Sequence, residues 1–291
     1  MNKTIGFVGT GTMGSRMIVR LLGDSHKVSV YNRNKEQTKS LIEKGANSSG
    51  SIPDLVKSSD FICISVPDDQ AIKEVVTQAV SIGCKNKVFI SLSTISPDMA
   101  VELSEIIAKN EAFFLDAPVS GSAPQVEAGQ LVIFASGNES KFKTAKSIFS
   151  SLSRETYYMG TAGNGSRMKL VVNTLLGLGI EALAEALTLG QRMGMSKKKL
   201  IEVLSNTAVV STSQKMKMQN ALADSYDVAF SLSNMYKDFG LILDQAHKTY
   251  TPMPATVASM QVDAVGMSRK LNNDFAVVIK LLEESSGKTA K

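Results

Sequence analysis

The chain runs Thr4-Ile5-Gly6-Phe7-Val8 directly into Gly9-Thr10-Gly11-Thr12-Met13-Gly14, and the reading of this stretch decides the fold. A short apolar strand followed at once by G-x-G-x-x-G, with an apolar, Pro-free run from Ser15 to Leu22 behind it, is the setting that a dinucleotide-binding turn requires. Gly9 permits the tight turn, Gly11 lets backbone approach a pyrophosphate, and Gly14 allows close helix–strand packing. A helix that starts here aims its unsatisfied N–H groups and the positive end of its dipole at the phosphates. Gly9, Thr10, Gly11, Thr12, Met13 and Gly14 are therefore the expected cofactor-binding turn. The competing interpretation is a glycine-rich turn in some other α/β unit. A second strand at Lys27–Tyr31 favours the nucleotide.

That second strand also bears on which dinucleotide is bound. Enzymes that use NAD usually carry Asp or Glu about 20 residues past the glycines, where it accepts from the ribose 2′-OH. This chain has Tyr31-Asn32-Arg33-Asn34 there and no carboxylate before Glu36. Arg33 is a permanently charged fork suited to a 2′-phosphate, and Asn32 can bond the same oxygens. An ordinary solvated Arg in a polar loop is the alternative. The missing acid, together with the Arg, favours NADP(H) over NAD(H).

At 291 residues the chain exceeds one α/β domain of ordinary size, so two domains are expected. A composition of 43% hydrophobic and 20% charged residues is that of a globular protein able to bury a large core. The net charge of +5 is modest, and Lys197-Lys198-Lys199 has no interleaved aromatic residue. It reads as a solvated helix start rather than a nucleic-acid footprint. Cys63 lies in an apolar strand and Cys84 beside a glycine turn, so neither a disulfide framework nor a CxxC metal pair is expected. The first strand lies at the N-terminus and leaves no room for a signal peptide. Leu170–Ile180 is strongly apolar, but Lys169 and Glu181 bracket it short of a membrane span. The expectation is a cytoplasmic protein with neither a membrane nor a nucleic-acid partner. His26 and His247 form no metal-like pair, and so little histidine argues against a His general acid or base.

Up to about residue 160 apolar strands alternate with amphipathic helices. Strands are predicted at Phe61–Val66, Val88–Leu92, Phe113–Leu115, Leu131–Ala135 and Thr156–Met159. Helices are predicted around Glu36–Lys44, Gln70–Val80 and from Ser96-Pro97 to Ala108, where Ser-Pro makes a good cap and first turn. This pattern means a mostly parallel sheet with ligands at the strands' carboxyl ends. Beyond Gly160 helical periodicity dominates from Ser166 to near Leu282, broken once by Pro252 and Pro254. Ser166–Met193, apolar on nearly every face, is expected to be a central helix buried by others. The tail Ser285–Lys291 is expected to fray. The domains are expected at 1–162, a Rossmann dinucleotide-binding domain, and 163–291, an all-α domain.

Several strand-end loops carry candidate site residues. Val66-Pro67-Asp68 and Ser93-Thr94-Ile95-Ser96-Pro97 read equally well as strand terminators or as groups turned toward the cofactor. Asp116-Ala117-Pro118-Val119-Ser120-Gly121-Ser122 ends a strand in a turn whose backbone N–H groups and two hydroxyls can cradle a carboxylate. On spacing alone, a plain Pro/Gly/Ser turn is the more ordinary reading. Lys169 and Asn173 stand at i and i+4 of the long helix and project from one face. In an apolar helix they are costly unless they meet a ligand, water or each other, although a snorkelling Lys and a satisfied core Asn would read the same way. Tyr236-Lys237-Asp238, taken alone, reads as a surface helical turn.

Taken together, the FVGTGTMG start, DAPVSGS, GNGSRMKLVVN and the late F-S-L-x-x-x-x-K-D resemble the β-hydroxyacid dehydrogenase family, in order and over nearly the whole chain. That family includes 3-hydroxyisobutyrate dehydrogenases, 2-hydroxy-3-oxopropionate reductases and glyoxylate/succinic semialdehyde reductases. The resemblance implies a Rossmann domain, an all-α domain and an active site in the cleft between them. It makes Lys169 the catalytic lysine and Asn173 its helical neighbour in the site. Ser120, Gly121 and Ser122 become the substrate loop, and Lys237 a contact to cofactor and substrate. Many members carry two glycines after the loop serine. Gly121-Ser122 here, with Gly129-Gln130-Leu131, looks closer to the glyoxylate and succinic semialdehyde reductases. The activity implied is NADPH-dependent reduction of a small aldehyde-bearing or keto acid by a homodimer or homotetramer. The alternatives are a 3-hydroxyisobutyrate or 2-hydroxy-3-oxopropionate dehydrogenase, or a non-catalytic NADP-binding module. The resemblance counts against the module, since non-enzymatic members lack the lysine that Lys169 supplies.

Overall fold

The computed structural model describes residues 3–287, which divide into two compact units, one up to Lys169 and one from Leu170 on. Among the described residues the first holds nine strands: β1 Thr4–Val8, β2 Lys27–Tyr31, β3 Asn47–Ser48, β4 Phe61–Ile64, β5 Val88–Ser91, β6 Phe113–Asp116, β7 Val119–Ser120, β8 Leu131–Gly137 and β9 Ser153–Tyr158. They lie in the order β3-β2-β1-β4-β5-β6-β8-β7, with β9 paired to β8. The order reverses direction at β1, which sits between β2 and β4. The loop after β1 therefore opens at the switch point where doubly wound sheets bind ligands.

From β3 to β6 every pairing is parallel, as the alternating pattern predicted. The central strands β4 and β5 are buried on both faces because both are covered. Phe61, Cys63, Val88 and Ile90 join Met17, Ile18 and Leu21 of the helix Thr12–Gly23 in one core cluster. The alternate residues Ile62, Ile64 and Phe89 point into the other. β8 departs from the parallel expectation and runs antiparallel to β6 and β7. The chain between Ser120 and Leu131 holds only the short helix Ala123–Glu127, too little for the crossover that a parallel return needs. The two-residue strands β3 and β7 are too short to show a period in the sequence.

The second unit is helical. The division after Lys169 falls within the helix Asn164–Arg192. Helices Lys197–Leu204, Thr212–Leu222, Leu232–Lys248, Pro254–Ser268 and Val278–Ser285 complete it. The predicted break holds, with Pro254 in the first turn of its helix. Ser285 is still helical, Ser286 and Gly287 lie past the helix end, and residues 288–291 of the expected frayed tail lie outside the described residues.

Asn164–Arg192 is not buried all round. Ile180, Ala184 and Leu187 enter the core of the helical unit, whereas Val171, Leu175 and Leu189 are 56%, 73% and 62% exposed. The exposed positions recur at helical spacing and make one apolar stripe. At 29 residues the helix is long and apolar enough to cross a membrane, although Lys169 and Glu181 lie within it. It buries Asn173 and Glu181 inside the protein, which suits a core helix.

Candidate active site

The three glycines of the first turn are required for three different reasons. Gly9 has φ +96°, and a Cβ there would lie 2.1 Å from the Ser65 carbonyl oxygen. At Gly14 a Cβ would lie 2.2 Å from the Gly9 oxygen, so this glycine seats the helix on the strand. At Gly11 a Cβ would meet no protein atom within 4 Å. The fold itself does not demand Gly11, and the open space there is what close approach by a pyrophosphate would need. Gly11 also caps the helix without any side-chain hydrogen bond, and the first turn carries no acid. The N–H groups there are those that a pyrophosphate would satisfy.

The ends of the next two strands, β4 and β5, are stitched to each other. The Val66 N–H donates to Ser93 Oγ (2.8 Å), and Asp69 accepts from both the N–H and the hydroxyl of Ser96 (2.9 and 2.5 Å). Pro67 and Thr94 lie within the two loops so joined. Asn32 is turned inward, its amide donating to Thr10 Oγ1 (2.5 Å) and Gln37 Oε1 (2.9 Å). It shapes the turn, and Arg33 is left to meet solvent with its side chain 84% exposed.

The Ser120–Ser122 segment, expected to cradle a carboxylate, has part of its hydrogen-bonding capacity taken up within the protein. Ser120 ends β7, opposite Val132. Gly121 follows at φ +134°, where a Cβ would lie 2.7 Å from Leu131 Cδ2. Ser122 spends both its donors on Gln125 Oε1, the N–H at 2.9 Å and the hydroxyl at 2.6 Å. It caps the helix Ala123–Glu127 with Pro124 in its first turn. The cradle of N–H and hydroxyl donors is thereby reduced to Ser120 and Gly121, because a donor already committed to a carbonyl oxygen cannot also serve a carboxylate.

Lys169 is 7% exposed, and Asn173 follows one helical turn later, fully buried. In the helical unit Asn173 Nδ2 donates to Asp238 Oδ2 at 2.5 Å. The Lys237 ammonium lies 3.0 Å from Asp238 Oδ1, near enough for an ion pair but poorly aligned for a hydrogen bond. Asp238 thus joins two of the expected site residues, and it is buried rather than part of a surface turn. Sequence reasoning missed it, although its place beside Lys237 in the K-D pair was a signal. Asn173 Oδ1 is buried with no hydrogen-bond partner among the described residues. An orphaned acceptor of this kind costs about 1–3 kcal/mol unless something fills it, so it points to a ligand.

Comparison with known proteins places the chain in a family. Residues 4–160 match the family model described as the NAD binding domain of 6-phosphogluconate dehydrogenase. Residues 163–282 match that described as NAD-binding of NADP-dependent 3-hydroxyisobutyrate dehydrogenase. The chain is 31% identical to glyoxylate/succinic semialdehyde reductase 1 of Arabidopsis thaliana, over 97% of this chain and 99% of that protein. It is also 31% identical to the human cytokine-like nuclear factor N-PAC over 90% of its length, but spans only 48% of that longer protein. Among solved structures, a 3-hydroxyisobutyrate dehydrogenase of Salmonella typhimurium superposes with a TM-score of 0.89 at 25% identity, covering 96% of this chain and 99% of the other. The glycine turn, the strand-end loops and the Lys169–Asn173 helix therefore belong to a member of the β-hydroxyacid dehydrogenase family, oxidoreductases that act on CH–OH groups.

Proposed function

We propose that this chain reduces the carbonyl of a small aldehyde-bearing or keto acid of the glyoxylate or succinic semialdehyde type with NADPH, and oxidises the corresponding hydroxy acid in reverse. The observation that carries the reading is Lys169, a buried ammonium one helical turn before the unfilled acceptor Asn173 Oδ1. The bound cofactor supplies the hydride. Lys169 gives its proton to the substrate oxygen as negative charge develops there, and takes it back in the reverse direction. Asn173, held by Asp238, orients the substrate against Lys169. The Ser120 hydroxyl and the Gly121 N–H hold the carboxylate. Lys237 contributes positive charge toward cofactor and substrate. Arg33 takes the 2′-phosphate, a reading supported by its exposure and by the absence of an acid before Glu36. The Gly121-Ser122 pair and the Arabidopsis relative support the glyoxylate or succinic semialdehyde class.

The chain is further proposed to act as a homodimer or homotetramer. A second copy would cover the stripe of Val171, Leu175 and Leu189, and light scattering reads the mass directly. Both cysteines are free and buried, which supports a reducing compartment such as the cytoplasm.

The deciding experiment pairs a panel of small aldehyde and hydroxy acids, with both cofactors, with the variant Lys169→Ala. The variant is expected to bind NADPH normally and to lose about 10²–10⁴-fold in kcat, the usual worth of a positioned acid. Lys169→Arg is expected to fail as well, since a guanidinium does not release its proton in this range. Near-normal kcat in Lys169→Ala would overturn the reading.

A further inference from the structure

Asp116 opens the segment that leads into Ser120 and Gly121, and its carboxylate is taken up by Ser166 and Ser136. It is fully buried, with 0% exposure, and its partners are neutral. Oδ2 accepts from the Ser166 N–H (2.8 Å) and from Ser136 Oγ (3.2 Å), while Oδ1 accepts from Ser166 Oγ (2.8 Å). Ser166 lies in the first turn of the helix Asn164–Arg192, where N–H groups lack intrahelical acceptors and the dipole favours a negative charge. The contact is tight on the backbone side too. Gly165 donates to Ser136 Oγ (3.0 Å), and a Cβ on it would lie 2.2 Å from the Phe134 oxygen and 2.6 Å from the Asp116 oxygen. Burial pushes the Asp116 pKa up, and the hydrogen bonds from Ser166, Ser136 and the Gly163 N–H oppose that shift.

We propose that Asp116 is a positioning residue, whose carboxylate locks the first turn of the Lys169 helix onto the strand end that leads into Ser120 and Gly121. Lys169 stands three residues after Ser166, a rise of about 4.5 Å along a rigid helix, so displacement of the first turn passes directly to the ammonium. Ser120 stands four residues after Asp116 and is held by the β7–β8 pairing. One carboxylate thus fixes the proton donor relative to the group that holds the substrate. A misplacement of about 1 Å in such a site can cost ~10²-fold in rate. The inference rests on Lys169 being the proton donor.

The test uses Asp116→Ala, Asp116→Asn and Ser166→Ala in the full-length enzyme, with kcat normalised to folded protein. Asp116→Ala is expected to lower kcat by about 30-fold, within that range, with the KM for NADPH unchanged. A larger solvent deuterium isotope effect on kcat is expected as well, because proton transfer from a misplaced Lys169 becomes limiting. Asp116→Asn keeps an oxygen for the Ser166 N–H and can donate to Ser166 Oγ, so it should recover most of the loss. Ser166→Ala leaves the backbone bond in place and should fall several-fold, and it carries the test if Asp116→Ala does not fold. Kcat within twofold of wild type in Ser166→Ala and in folded Asp116→Ala, or a loss without a change in isotope effect, overturns the proposal. If those variants behave so while Lys169→Ala is inactive, positioning alone fails. If Lys169→Ala is itself active, the functional reading fails with it.

Discussion

Asp116 in the sheet unit and Asp274 in the helical unit are equally buried carboxylates, at 0% and 1% exposure, and the two units neutralise them by different means. Asp116 faces the N–H and O–H groups at a helix start. Asp274 takes the Lys217 ammonium on both oxygens at 2.7 Å, with the Ala229, Phe230 and Ala276 N–H groups at 3.0–3.1 Å. The helical unit also holds a third solution. Glu181 and Asp263 are buried close enough to repel each other, and Asp263 Oδ2 has no hydrogen-bond partner among the described residues. Burial, then Asp263 and Glu185, raise Glu181 to about 8, and burial raises Asp263 to about 7. The sheet unit uses its buried charge to register a helix against a loop. The helical unit uses one to tie the Asp274 turn to a neighbouring helix and keeps the other pair partly protonated. What separates these cases is which dipoles or cations the fold brings near, not how deeply the carboxylate lies.

The largest effect expected comes from removing the cation. Lys217→Met leaves Asp274 buried with only N–H donors and should cost about 3–5 kcal/mol of stability, the usual toll of stranding one partner of a buried pair. Adding Asp274→Asn to that background should restore part of the loss, since no charge then remains to strand. Thermal unfolding of the two variants reads both outcomes. A loss below about 1 kcal/mol would show that backbone dipoles suffice at Asp274 as they do at Asp116.

The same contrast explains what the sequence discloses. Gly9 and Gly14 are legible because their reasons are local: a turn and a helix start within a few residues of each other. Lys169 and Asn173 are legible because a helix repeats and they break its apolar pattern. Asp116 and Asp238 are not legible as organising residues, because their partners Ser166 and Asn173 lie 50 and 65 residues away in the chain. Ser122 can be read in a second way. Its spacing to Gln125 is a Ser-x-x-Gln capping box, a readable signal that the attraction of a carboxylate cradle obscures. The exposed stripe of the long helix is not foreseeable, since a run that is apolar on every face does not say which face the fold will cover.

A smaller, pH-dependent effect tests the protonated pair. An unfolded Glu has its ordinary value of 4.5, whereas folded Glu181 lies near 8, so between these values the native state binds the proton more tightly. Its contribution to stability is therefore complete below pH 4.5 and is lost as pH rises through 8. Holding a proton tenfold more tightly is worth about 1.4 kcal/mol, so a few kcal/mol at most are at stake. The melting temperature of the wild type should fall by roughly 5 °C or more between pH 6 and 9 from this cause. Glu181→Gln, uncharged throughout and of the same size, should flatten that slope and be the more stable protein at pH 9. An unchanged slope would mean that the pair is already solvated or neutralised, and the third solution would merge with the second.

The smallest effect belongs to a charge that the fold does not bury at all. Arg33 is 84% exposed, and its ion pair with Glu74 is loose, at 3.9 Å. Surface pairs of this kind contribute about 0–1 kcal/mol, so Arg33→Ala should leave the melting temperature unchanged, in contrast to Lys217→Met. Its value should appear only in cofactor choice. A charged hydrogen bond to a 2′-phosphate at so open a site is worth roughly 1.4 kcal/mol, or tenfold. Kcat/KM with NADPH should fall by about that factor in Arg33→Ala, while kcat/KM with NADH stays level, because only NADPH carries the phosphate. Asn32→Ala should behave differently and weaken both cofactors, since its amide is bonded to Thr10 within the glycine turn. Equal losses for both cofactors in Arg33→Ala would remove it as the phosphate partner and leave the exposed Arg no different from any other surface charge.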